Sequence, residues 1–100
     1  MYYNKRKGQE VNRMSGKPVD VISVCRADGE IEPLRFQVEG AQHQMVRVLV
    51  DEIVGKREIP YVGVEAKVFL CRGTMDDREC MFELKYIFRA HCWQILRRVY

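Results

Sequence analysis

Two histidines (His43, His91), four cysteines (Cys25, Cys71, Cys80, Cys92) and two adjacent acid pairs (Asp51-Glu52, Asp76-Asp77) are the residues of this 100-residue chain best equipped for chemistry. Their spacing argues against most of it. A general base needs a nucleophile or a substrate proton within hydrogen-bond reach. Both histidines instead fall in or beside expected turns, where an imidazole is ordinarily solvated. No C-x-x-C pair occurs, so neither a zinc ribbon nor a redox dithiol is indicated. His91 and Cys92 are consecutive, and consecutive strand residues point to opposite faces, which places them badly for sharing a metal. The acid pairs read as solvated turn formers. G-x-S-x-G, the P-loop, G-x-G-x-x-G and H-E-x-x-H are all missing from the sequence. The chain is expected to be non-catalytic, with no cofactor and no metal.

Charge carries more information. Residues 1–13 hold four basic side chains (Lys5, Arg6, Lys7, Arg13) and one acid (Glu10), which accounts for the whole net charge of +3. The remainder is neutral. Residues 1–16 show no hydrophobic periodicity and are read as a disordered basic tail, with Met14 as an alternative start. The tail has no apolar run behind Lys5-Arg6-Lys7, so a secretory signal is not expected and a cytoplasmic location is. No apolar run approaches the ~20 residues of a transmembrane helix. A single-stranded nucleic-acid role would use Lys5, Arg6 and Lys7 with Arg89, Arg97 and Arg98, since such sites pair cations with stacking aromatics. A neutral body lacks the basic excess such a footprint normally shows.

The elements that must position these residues follow from a period of two. Apolar side chains alternate from Val62 to Leu70 and again from Cys80 to Phe88, the pattern of a hairpin with one buried face. Opposite charges across a pair contribute ~0.2–1 kcal/mol. That favours Lys67 opposite Glu83 and Glu65 opposite Lys85, around a three-residue loop Thr74-Met75-Asp76. Val64, Ala66, Val68 and Leu70 then face the core with Tyr86, Leu84, Phe82 and Cys80, while Cys71 faces out. Upstream, Val19–Arg26 and Ile31–Val38 flank Asp28-Gly29, a two-residue hairpin turn. Val19 is expected opposite Val38, Val21 opposite Phe36 and Ser23 opposite Leu34. Pro33 donates no ladder hydrogen bond and marks a bulge or edge.

Met45–Ile53 forms the third strand, and its broken alternation at Asp51–Val54 suggests a bulge or a short irregular step. The 55–63 stretch is read as a long connection. A tight turn at Ala90-His91 leads to a last strand, Cys92–Val99, with Trp93, Ile95 and Val99 inward and Arg97 out of pattern. The expected fold is all-β: a six-stranded antiparallel meander over residues 17–100, closing into a small barrel or strongly curled sheet.

The stretches Lys17-Pro18-Val19-Asp20-Val21-Ile22, Asp28 to Phe36, Val68-Phe69-Leu70-Cys71 and Glu83-Leu84-Lys85-Tyr86 with Trp93 resemble a family of short uncharacterised bacterial proteins. The likeness covers most of residues 17–96. It implies one compact domain and, since that family has no assigned activity, no catalytic residue. On the residues, the favoured role is a non-catalytic interaction module with a protein partner or a second copy of itself. In the hairpin register above, Ile22, Phe69, Met81 and Ile87 lie on the face opposite the core, with Phe69 beside Met81. They form the expected interface.

Overall fold

A computed structural model describes residues 16–100; the basic tail and Met14 lie outside the described residues. The chain forms seven antiparallel strands: β1 (Lys17–Val19), β2 (Val21–Cys25), β3 (Ile31–Glu39), β4 (Met45–Ile59), β5 (Ala66–Met75), β6 (Arg78–Ile87) and β7 (Cys92–Arg98). They lie in one sheet in the order β1-β7-β6-β5-β4-β3-β2. The expected first strand is thus two, divided at Asp20. β1 pairs with β7 and β2 with β3, so one continuous stretch of chain occupies both ends of the sheet. The meander therefore curls strongly back on itself, and the first and last strands meet antiparallel as expected. Lys17 reaches across the join to Glu39 at 3.6 Å.

Bulges supply the bending. Extra residues enter β3 at Leu34, β4 at Asp51 and Val54, and β7 at Leu96. Each increases local twist and re-aims the side chains that follow. The Leu96 bulge resolves the misfit of Arg97, which turns outward opposite Glu83 and bonds its carboxylate at 2.9 Å. The two bulges in β4 allow it to run on to Ile59 instead of ending at Ile53, so most of the expected connection is strand. In the first hairpin, Arg26 and Glu30 enclose a three-residue loop in which only Gly29 has positive φ (92°). The loop is one residue longer than expected, and the bulge at Leu34 restores the parity. Val21 consequently does meet Phe36, while Ser23 meets Pro33.

The central hairpin departs most from expectation. Asp76 and Asp77 both adopt positive φ, 53° and 62°, and close a two-residue turn in which Met75 faces Arg78. A turn of that hand matches the right-handed twist of its strands. It moves the register by an odd number of residues, which reverses the side-chain faces of β5 relative to β6. Phe69 stands opposite Leu84 and Cys71 opposite Phe82. Both belong to the core, with Phe69 at 0% exposure, so neither the outward placement of Cys71 nor the interface role of Phe69 holds. The charge argument failed because β5 is buried on both faces. Ala66 and Val68 are covered as well, although they lie outside the core cluster. Val68 stands between Arg57 and Lys85, whose long side chains are suited to shielding it. Two apolar faces give alternation no phase.

The core joins Phe36, Val38, Val48, Phe69, Cys71, Phe82, Leu84, Trp93 and Ile95 across five strands. Phe36 meets Phe82 edge-on, with ring centroids 5.3 Å apart. Val62, Val64, Phe88 and Val99, all expected inside, are exposed. The first two lie in a turn before β5, and Phe88 and Val99 fall beyond the ends of β6 and β7.

Gly73 faces the core side where β4 comes closest: a Cβ there would lie 2.2 Å from the Leu49 carbonyl oxygen. Gly73→Ala is therefore expected to lower the unfolding free energy by about 1–3 kcal/mol in urea titrations, because rigid backbone must yield. The opposite sign is expected at the turn. Replacing Asp76-Asp77 by Asn-Gly, residues suited to positive φ, should raise stability by about 0.5–1 kcal/mol in the same assay. An unchanged midpoint would argue against this turn geometry.

Candidate interaction surfaces

The expected interface residues do not assemble into one surface. Phe69 is in the core, Ile22 lies exposed on β2, and Met81 and Ile87 are half-buried on β6. Six residues of strand separate those two, roughly 20 Å at ~3.4 Å per residue. The arginines are also dispersed. Arg89 lies in the β6–β7 loop, Arg97 is held by Glu83, and Arg98 bonds the Tyr100 carbonyl at 3.0 Å with its guanidinium 5.6 Å from the Phe82 ring centre. Lys5, Arg6 and Lys7 lie outside the described residues.

An apolar end takes their place. In the sequence Pro60-Tyr61-Val62-Gly63-Val64, the Val64 N–H donates to the Tyr61 carbonyl at 3.0 Å, and Gly63 has φ 86°. Positive φ at the third position of a four-residue turn is a glycine requirement. Pro60 stops β4 and Gly63 turns the chain, which leaves Tyr61 71% and Val62 94% exposed, with Val64 beside them. The Phe88 N–H donates to the Glu65 carbonyl at 3.2 Å, bringing the β6–β7 loop alongside. Phe88 meets Tyr86 edge-on at 5.5 Å, Tyr86 meets Trp93 at 5.0 Å, and Trp93 meets Phe69 at 5.5 Å. A chain of aromatic rings thus runs from the surface into the core, and such contacts add to burial energy. Sequence alternation assigned Val62, Val64 and Phe88 to the core. The signal that locates them is the Pro60…Gly63 bracket.

Charged groups gather around the β2–β3 loop. Glu32 receives Arg26 at 2.9 Å and Lys56 at 3.2 Å, and these contacts, Arg26 foremost, hold its carboxyl below the usual range. Lys67 is largely buried, its ammonium 2.5 Å from Glu30 and 5.8 Å from the Phe69 ring centre. These ion pairs span the place where β3 and β4 part, since their ladder covers only Arg35–Glu39 against Met45–Leu49. Among the described residues, no buried side-chain polar atom lacks a partner, and no group of three or more His, Cys, Asp and Glu side chains is placed to hold a metal ion. No helix there is long and apolar enough to cross a membrane.

No family model, no curated protein and no solved structure matches the chain.

The four thiols are free and differ in exposure. Cys25 and Cys92 are exposed, whereas Cys71 and Cys80 are buried. Burial pushes the Cys71 thiol up to about 12. Because the native state keeps that proton while the unfolded chain loses it above the ordinary thiol range, Cys71 should make stability fall as pH rises from about 9 towards 12. At pH 8, iodoacetamide is expected to modify Cys25 and Cys92 alone in the folded protein, and all four cysteines in denaturant, as read by mass spectrometry. Rapid native labelling of Cys71 would contradict its placement in the core.

Proposed function

We propose that this protein is a non-catalytic interaction module that docks a protein partner through the apolar end formed by Tyr61, Val62, Val64 and Phe88. The observation that carries this reading is Val62, left 94% exposed at a turn whose neighbours are also large and apolar. Scattered surface apolar residues are normal, but adjacent ones on two loops tied by a backbone hydrogen bond form a patch, and patches mark interfaces. The aromatic chain holds the Phe88 side of the patch to the core, which lessens the ordering that binding there requires.

Single-stranded nucleic acid is the second reading, and less supports it. Arg97 is neutralised by Glu83, Arg89 stands at the other end of β7 from Arg98, and the rings of Phe82 and Trp93 are buried instead of being presented for stacking.

A photo-crosslinking amino acid placed at position 62 tests the proposal in cells, with position 78 at the far end of β5–β6 as the control. A discrete adduct from position 62 that is missing from position 78 is the expected result, and its mass identifies the partner. Equal smears from both positions, or no adduct at all, would overturn the reading.

A further inference from the structure

The outer face of the sheet carries a second feature that the apolar end does not involve. Ile22, Arg35, Leu49, Thr74 and Glu79 form one cross-strand row through β2, β3, β4, β5 and β6. Ile22 and Leu49 are exposed, and so is Leu34 at the neighbouring bulge. Along β4, Arg47, Leu49 and Asp51 follow one another on the same outer face. Asp51 is placed there by its carboxylate, which accepts from the Thr74 hydroxyl at 2.6 Å.

Arg35 and Arg47 are diagonal neighbours, yet among the described residues neither has a carboxylate within ion-pair distance. Most other cations do: Lys17, Arg26, Lys56, Arg57, Lys67, Arg72 and Arg97 all have one. Asp51 likewise has a hydroxyl partner and no cation, and Glu79 is held by the Tyr100 hydroxyl at 3.1 Å with Arg72 at 3.7 Å. Asp20 lines the same cavity as Arg35 and Arg47 but lies beyond ion-pair distance, so the two guanidinium groups still repel each other and favour a further anionic partner.

We propose that the occupant of this face is a second copy of the chain, bound through a two-fold axis at Leu49. With the strands of the two sheets crossed near a right angle, as in orthogonal sheet packing, Leu49 meets its counterpart. Arg35 of one copy then meets Asp51 of the other, and Arg47 faces Glu79. The patch is self-complementary, as an isologous interface requires: Arg35 on β3 and Arg47 on β4 lie on one side of Leu49, while Asp51 further along β4 and Glu79 on β6, the latter shared with Arg72, lie on the other. Ile22 and Leu34 extend the apolar part. With few apolar side chains at its centre and exposed charges around them, the association is weak and sensitive to salt.

Sedimentation velocity over micromolar to millimolar concentrations tests this. The wild-type chain is expected to shift from monomer to dimer, with the shift suppressed by added salt. Leu49→Asp, at an exposed position, should weaken association about tenfold or more while leaving the circular dichroism spectrum and thermal midpoint unchanged. Arg35→Glu and Asp51→Arg should each weaken it similarly, and the doubly reversed chain should recover it, because the pair re-forms with its signs exchanged. Val62→Asp should have no effect on the dimer, which separates this surface from the apolar end. A wild type that stays monomeric throughout, a Leu49→Asp dimer as strong as wild type, or a double reversal that restores nothing would each overturn the proposal.

Discussion

The rest of the structure depends on the left-handed conformation of two residues, Asp76 and Asp77. A two-residue loop and a three-residue loop differ by one position in the pairing that they impose, and one position exchanges the faces of a strand. The shorter loop puts Phe69 and Cys71 into the core beside Leu84 and Phe82, and turns Thr74 outward where it meets Asp51. It also sets Gly73 against the Leu49 carbonyl, where only a residue without a Cβ fits. Turn, glycine and core are therefore one constraint. Aspartate tolerates positive φ better than most residues, which is what permits the tight turn without glycine.

Curvature is the second organising fact. A meander of this length has two edges, each a row of unpaired backbone groups. Here both ends of the sheet are made from the single stretch 17–25, with Asp20 at the change of partner. Bulges on β3, β4 and β7 bend the strands enough for that stretch to serve both neighbours. The same bulges explain side chains that seem misplaced in the linear pattern. Arg97 becomes an outward partner of Glu83, and β4 continues past the break at Asp51–Val54 with its faces re-aimed. Where β4 outruns β3, ion pairs from Lys56 to Glu32 and from Lys67 to Glu30 take over from the ladder.

Two surfaces emerge from this scaffold with different characters. The apolar end is a consequence of loops: Pro60 and Gly63 hold Tyr61 and Val62 out of the ladder, and the Phe88 N–H bond to the Glu65 carbonyl brings the ring chain alongside. The outer face of β2 to β6 is a consequence of register, since pairing alone decides that Arg35, Leu49 and Glu79 share a row. A hydrophobic tip favours burial without direction, whereas a charged row imposes orientation.

By itself the sequence determined the all-β class, the antiparallel meander, the strongly curled sheet, most strand positions, and the breaks in pattern at Pro33 and Asp51–Val54. Each of these is written in local terms: period-two alternation, β-branched runs, turn residues and breaks in pattern, all acting over a few neighbours. The core face of β6 was legible for the same reason, because its apolar run Cys80-Phe82-Leu84-Tyr86 is unbroken while its other face carries Glu79, Glu83 and Lys85. What only the tertiary structure decided was the phase of β5, and with it the fate of Phe69, Cys71 and the expected interface. A strand covered on both sides has no polar face to mark its orientation, and a weak cross-strand charge preference cannot outweigh a turn geometry and a packed core. The positions of Val62, Val64 and Phe88 were misread because the alternation runs past the ends of the ladder, where no partner strand gives it meaning. Rows across strands, such as Ile22–Arg35–Leu49, are properties of pairing, and pairing is settled by the whole sheet.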